Sequence, residues 1–185
     1  MSKILAVVAS PRSDGNCVSI VNAITDGAMG YSTNVLEIVN LNTLRIMCGC
    51  QACMGCKITG YCVTRDELSP LLNMVKRSDT IIVATPIYFG HASGQYRLFE
   101  DRMFSFIDNE GSSALPGGKK LVTVVTCGED TEIAEAVADE IEDLFTEFFS
   151  FKAVGRFVHT DNGSKHAAKK NDELMENAKQ LGKRL

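Results

Sequence analysis

The sequence predicts an α/β fold: a parallel sheet with helices on both faces. Apolar runs of strand length alternate with segments whose apolar residues recur at helical spacing, along nearly the whole chain. The first and inner strand runs are continuously apolar, as strands buried on both faces are. One feature interrupts the alternation. Cys50, Cys53, Cys56 and Cys62 fall within thirteen residues in the spacing C-x2-C-x2-C-x5-C.

In chain order, Lys3 to Ala9 reads as a buried strand, followed by a turn-rich loop. A helix starts near Asn16, with Val18, Val21, Ile24 and Ala28 on one face. Asn34 to Leu41 alternates apolar and polar residues, so it is a second strand nearer an edge. After the cysteine loop, Asp66 can cap a helix to about Arg77, with Pro70 tolerated in or near its first turn. Thr80 to Thr85 is a third strand. Gly94 to Ile107 is a helix with Tyr96, Phe99, Met103 and Phe106 on one side. Lys120 to Thr126 is a fourth strand, Ile133 to Phe149 a strongly patterned helix, and Phe151 to His159 a fifth strand. Leu174, Ala178, Leu181 and Leu185 mark a C-terminal helix. Five such strands favour a doubly wound, three-layer sandwich in flavodoxin-like order, 2-1-3-4-5. Ligands of such sheets lie outside the carboxyl ends of the strands.

With 185 residues and 45% apolar content, the chain is expected to be one domain over 1–185, with a cysteine-rich insertion at about 46–64. Net charge is −4 with no Lys/Arg block, which argues against a nucleic-acid partner. No apolar run has the length of a membrane span, and Ile4 to Ala9 is too short for a signal-peptide core. A cytoplasmic location is expected. Among reduced thiols, seven cysteines point to metal or redox chemistry rather than to disulfides.

Four thiolates this close can share one soft metal centre, and iron–sulfur loops also begin C-x2-C-x2-C. Structural zinc more often uses two knuckles about a dozen or more residues apart, although four thiolates suit it as well. The cysteines could also be packing residues, or a pair such as Cys50–Cys56 could oxidise in air. Gly49, Gly55 and Gly60 give the loop freedom to wrap.

Three other loops leave the same rim. In the first, Ser10, Arg12, Ser13 and Asn16 precede a helix N-terminus, which suits a phosphate; an ordinary turn capped by Asn16 explains them equally well. In the second, Pro86 and Gly90 bracket an aromatic turn whose N–H groups could meet a flat heterocycle while Tyr88 or Phe89 covers it; plain packing of those aromatics is the simpler alternative. In the third, Cys127 and Gly128 would let the backbone approach a ring edge, although a lone Cys is more often a small core residue. Asp101 and Arg102 read as a helix salt bridge or cap, and His91 as a surface loop residue.

Taken together, these residues resemble the NAD(P)H-dependent FMN reductase superfamily, and within it the iron–sulfur flavoprotein branch. The carrying motifs are Ser10-Pro11-Arg12 with Gly15-Asn16, the four spaced cysteines, Asp66-Glu67, and Thr85-Pro86-Ile87-Tyr88-Phe89-Gly90 with Asp101-Arg102 beyond it. The resemblance implies that Ser10, Arg12, Ser13, Asn16 and Cys17 hold the FMN phosphate. It implies that Thr85, Pro86, Ile87, Tyr88, Phe89, Gly90, Cys127 and Gly128 frame the isoalloxazine, and that Cys50, Cys53, Cys56 and Cys62 hold a 4Fe–4S cluster. No side chain is assigned as a general acid or base. Electrons would pass between ferredoxin or NAD(P)H and a small-molecule acceptor, in a homodimer or homotetramer. Cys17 stands where the family usually has Thr or Ser, Ala9 where it often has Gly, and Cys48 is an additional thiol. A cluster-free NAD(P)H-dependent FMN or quinone reductase, and a non-catalytic redox or metal-sensing module, are the alternative functions.

Overall fold

The structure is a computed structural model that describes residues 2–30, 33–128, 130–160 and 163–185. Five parallel strands form the sheet: β1 (Lys3–Val8), β2 (Val35–Asn40), β3 (Thr80–Tyr88), β5 (Lys120–Thr126) and β6 (Lys152–His159), in the order β2-β1-β3-β5-β6. This is the doubly wound order expected from the sequence. A sixth, two-residue strand, β4 (His91–Ala92), folds back antiparallel on the end of β3. The third strand therefore runs three residues beyond Thr85. It then reverses through Phe89 and Gly90, both at positive φ (53° and 78°), the signature of a two-residue type I′ hairpin.

Alternate residues of the strands feed two cores. Leu5, Val7, Ile81, Val83, Leu121 and Val125 point to one face, covered by α3 (Leu68–Arg77), α4 (Gly94–Met103) and α5 (Thr131–Asp143). Ile4, Ala6, Val8, Ile82, Ala84, Val122 and Val124 point to the other, covered by α1 (Asn16–Met29) and α6 (Asp172–Gly182). A fully buried aliphatic side chain contributes about 1.5–3 kcal/mol, so these two faces dominate stability. Edge strand β2 has no buried residue, which explains its alternating sequence. Helices α1 and α6 approach closely because Gly27 and Gly182 lack Cβ atoms: one on Gly27 would meet the Lys179 carbonyl, and one on Gly182 the Ile24 carbonyl.

Two expected helices end differently. α4 stops at Met103 and tightens into a 3₁₀ turn over Phe104–Phe106. α5 stops at Asp143, and Leu144–Phe148 widens into a π-helical turn. Phe145 there packs against Phe149 and edge-on against Phe151, centroids 6.2 and 5.2 Å apart. Among the described residues, no helix is long and apolar enough to cross a membrane.

Candidate functional site

All parallel strands end at one rim, and the sequence-singled loops gather there. The loop after β1 leads into α1, whose N-cap is Gly15 and whose first turn has no side-chain cap. A fourteen-residue helix thus presents its N-terminal dipole and N–H groups to this loop, as an anion requires. Ser10 is buried and its Oγ accepts from the Arg12 N–H at 3.2 Å, while Arg12 and Ser13 are exposed. Asn16 faces elsewhere: its Nδ2 donates to the Ser164 carbonyl and its Oδ1 accepts from the Ala168 N–H. Cys17 is buried, with its Sγ 3.1 Å from the Thr126 hydroxyl; burial pushes its thiol up to about 12. Lys165, which the sequence reading did not single out, pairs with Asp14 at 2.7 Å. It thereby offsets the one carboxylate in the loop.

The second loop is fastened from below. Buried Thr85 donates to the Pro86 carbonyl (2.9 Å) and accepts from the Ser93 N–H (3.1 Å). Ser93 caps α4 by accepting from the Tyr96 N–H and donates its hydroxyl to the Ala9 carbonyl at 2.8 Å. The ends of β1, β3 and the start of α4 are therefore one hydrogen-bonded unit. Pro86 is half-buried and Ile87 buried; Tyr88 is half exposed, and Phe89 at the hairpin tip is 97% exposed. In the third loop Cys127 is buried, with its N–H on the His159 carbonyl, and Gly128 is exposed. Asp130 caps α5; Glu129 lies outside the described residues.

The cysteine loop follows β2 onto the same rim. Its start is pinned by the Asp66-Glu67 pair: the Arg45 N–H donates to Glu67 (2.7 Å) and the Met47 N–H to Asp66 (3.2 Å). Ala52 and Met54 adopt positive φ (50° and 58°), as does Gly60 (77°). Of the three glycines, only Gly60 therefore serves by its conformation. Gly49 and Gly55 serve by their size: a Cβ on Gly49 would run into the Asp101 carboxylate, and one on Gly55 into Val63. From Gly55 a short helix, α2 (Gly55–Thr59), carries Cys56 and Lys57. The Lys57 ammonium lies 3.8 Å from the centre of the Phe104 ring and donates to the Phe104 and Ile107 carbonyls, tying the loop to the end of α4.

Cys50, Cys53, Cys56 and Cys62 all line one small pocket, with Met54, Val63, Arg102, Phe104 and Ser105. Cys48 is not on its wall. Among the described residues, no three of His, Cys, Asp or Glu converge tightly enough to hold a metal ion as they stand. A cubane attaches each thiolate to a different corner iron, so its ligands ring a body rather than meet at a point. A shared pocket wall suits that geometry.

The group that binds the loop to the fold is Arg102, 1% exposed. Its guanidinium forks onto Asp66 (3.0 and 3.3 Å) and donates to the Cys48 and Thr64 carbonyls. Its Nε donates to Cys62 Sγ at 3.1 Å. Burial opposes the charge on Arg102, but Asp66 and Cys62 outweigh it and hold the guanidinium above its ordinary value. Burial would likewise raise the Asp66 carboxyl; hydrogen bonds from Arg102 and Met47 bring it below the usual carboxylate value. The sequence expectation of a helix salt bridge or cap was thus local where the actual bond is long-range. The available signal was position: Arg102 occupies an i, i+3, i+4, i+7 stripe with Phe99, Met103 and Phe106, where a charge needs a buried partner.

These features define a doubly wound α/β protein with an uncapped helix start, an exposed aromatic hairpin and a four-cysteine pocket on one rim. A profile of the NADPH-dependent FMN reductase family matches residues 2–165, and the chain belongs to that family. It is 29% identical over 132 residues to an iron–sulfur flavoprotein of Archaeoglobus fulgidus (71% of this chain, 59% of the relative). It is 28% identical over 127 residues to one of Methanosarcina thermophila (64% of each), and 26% identical to one of Methanocaldococcus jannaschii (99% of this chain, 95% of the relative). The chain thus spans about three fifths of the length of the first two relatives. In fold it is similar to an NAD(P)H:quinone oxidoreductase from Methanothermobacter marburgensis, at TM-score 0.74 and 15% identity over 98% of each chain. A Bacillus anthracis FMN-dependent NADH-azoreductase, solved with FMN, gives TM-score 0.68 at 14% identity (100% and 97% of the two chains).

Proposed function

We propose that the protein is an FMN-dependent oxidoreductase that passes electrons between a low-potential donor, ferredoxin or NAD(P)H, and a small-molecule acceptor. Cys50, Cys53, Cys56 and Cys62 would hold a 4Fe–4S cluster. The observation that carries this reading is their shared pocket, with Arg102 donating to Cys62 Sγ. Ser10, Arg12 and Ser13, with the open first turn of α1, would receive the FMN phosphate. Asn16 would act through its backbone while its side chain holds the Ser164–Ala168 segment, and Cys17 likewise while its thiol meets Thr126. Thr85 to Gly90 would frame the isoalloxazine with Cys127 and Gly128. When bound, FMN takes electrons singly or in pairs, and the cluster takes one at a time.

The chain's own contribution is positional. Thr85 and Ser93 lock the ring loop to β1, leaving Tyr88 and Phe89 free at the tip to cover a flat ligand. Lys57 and Arg102 lock the cysteine loop to α4. The half-exposed Tyr88 and bare Phe89 also support a homodimer or homotetramer in which a second copy covers this rim. Light scattering that gives a fully active monomer would refute that part.

The deciding experiment counts iron, acid-labile sulfide and FMN in protein purified without oxygen. About four iron and four sulfide per FMN are expected. FMN alone, even after cluster reconstitution, would mean a cluster-free reductase of NAD(P)H, FMN or quinone type. Stoichiometric zinc without flavin would mean a non-catalytic metal-sensing module.

A further inference from the structure

We propose that Arg102 and Ser105, one turn of chain at the end of α4, set the reduction potential of the cluster by hydrogen-bonding its sulfurs. This inference rests on the four cysteines holding an iron–sulfur cluster. The two residues are three apart where α4 tightens into the 3₁₀ turn, so they lie on one side of the chain. Both line the four-cysteine pocket. Arg102 already donates its Nε to Cys62 Sγ at 3.1 Å. Ser105 is 8% exposed, and its Oγ is fully buried with no hydrogen-bond partner. A buried hydroxyl without a partner is costly, and in native proteins such a group calls for an explanation, a bound water or a ligand among them. Ser105 shares its pocket with the four cysteines, so a cluster held there would offer this hydroxyl a sulfur acceptor. Lys57, the other cation beside the pocket, is already committed to the Phe104 and Ile107 carbonyls.

The direction of the effect follows from charge. Reducing the cluster adds one negative charge, shared over its sulfurs. A donor at a sulfur stabilises that state, and Arg102 adds a positive charge beside it. Removing either donor makes the cluster harder to reduce. The Asp66 carboxylate fixes the guanidinium in plane and leaves Nε aimed at Cys62.

The test is an anaerobic redox titration of the whole protein, read from the cluster's optical and electron-paramagnetic signals. Iron and sulfide counts accompany each variant. Ser105→Ala removes one neutral donor at almost constant volume. Loss of about 1 kcal/mol of hydrogen bonding is about a fivefold shift of the one-electron equilibrium, or about 40 mV more negative at 59 mV per tenfold. Ser105→Thr keeps the hydroxyl and should restore most of it. Arg102→Lys keeps the charge but loses the fork, and a shift of about tenfold, or 59 mV, is expected. Arg102 also supports the fold, so Ser105→Ala is the decisive variant. A full cluster in Ser105→Ala with an equilibrium within a factor of about 1.5 of the parent's overturns the proposal. A parent protein without iron or sulfide overturns the cluster reading first, and that result precedes any potential.

Discussion

Replacing Asp66 with Asn leaves the geometry almost intact and removes one charge from a pair whose two side chains are each 1% exposed. Removing one partner of such a pair typically costs about 3–5 kcal/mol, because the other charge stays buried. Arg102 keeps three further acceptors, Cys48 O, Thr64 O and Cys62 Sγ, which places the loss near the lower bound, about 3 kcal/mol. For a chain of 185 residues, about 2–4 °C per kcal/mol gives a fall in Tm of roughly 6–12 °C. Urea unfolding of protein stripped of flavin and metal is the assay, since bound ligand would add its own stabilisation. The pH dependence gives an independent reading. The folded carboxyl is held below its ordinary value of 3.8. Its contribution is therefore complete above that value and disappears as pH falls through the lower folded value. The parent should lose stability over that acid window more steeply than Asp66→Asn. The reasoning fails if Asp66→Asn unfolds within about 1 kcal/mol of the parent, or if its effect simply adds to that of Arg102→Met in a double-mutant cycle.

Further outcomes follow from three individual positions. Cys17, buried against Thr126 with its thiol pushed up to about 12, should resist iodoacetamide in the folded protein at pH 8, while exposed Cys50 and Cys53 of the metal-free form are alkylated; mass spectrometry showing equal labelling would contradict the burial. That neutral thiol stabilises the fold fully below about 9, and the contribution is lost as pH rises toward about 12. Gly182→Ala forces a Cβ against the Ile24 carbonyl and should cost about 1–3 kcal/mol by separating α6 from α1; unchanged urea midpoints would refute the close approach. Phe89→Asn places the favoured Asn-Gly pair in the β3–β4 turn and should raise stability by about 1 kcal/mol while weakening FMN retention, so tighter FMN binding in that variant would remove Phe89 from the ring site.

The sheet was legible because parallel strands buried on both faces leave long apolar runs, and turn residues separate them cleanly. The extension of β3 was not, because Pro86 cannot donate to a ladder and reads as a stop; it nonetheless sits in register with Thr126 of β5. The short α2 was hidden inside a loop of cysteines and glycines with no apolar period. At the rim, residue types were readable but their orientations were not. Asn16 and Cys17 look like ligands in a string of polar residues, yet their side chains meet Ser164, Ala168 and Thr126, more than 100 positions away. Arg102 shows the same limit from the other side. Its nearest acidic neighbour in sequence is Asp101, and its partner is Asp66, 36 positions back. Local spacing encodes which face a residue occupies; it carries no record of what the fold brings to that face.

Helix α4 is the element that makes one site of two. Its first turn is fixed by Ser93, whose hydroxyl holds the Ala9 carbonyl at the end of β1 and whose N–H meets Thr85. Its last turn carries Arg102, and Ser105 follows in the 3₁₀ turn, both against the cysteine pocket. Nine residues of helix rise about 14 Å, so the ring loop and the cysteine loop hang from the two ends of one short rod. The rod is stiff because Tyr96, Phe99 and Met103 are buried along it. A shift at either end must therefore move the other or break the packing between. This arrangement explains why a loop with two strained non-glycine residues can still hold a defined shape. Its own backbone does little to fix it, and the fixing comes from contacts that Lys57, Asp66, Glu67 and above all Arg102 make between the loop and the rest of the fold. By the same logic, lengthening α4 by one residue would rotate Arg102 by about 100° away from Cys62 while leaving Ser93 in place. Such an insertion should abolish cluster assembly and spare FMN binding, a separation that no change confined to the cysteine loop would reveal.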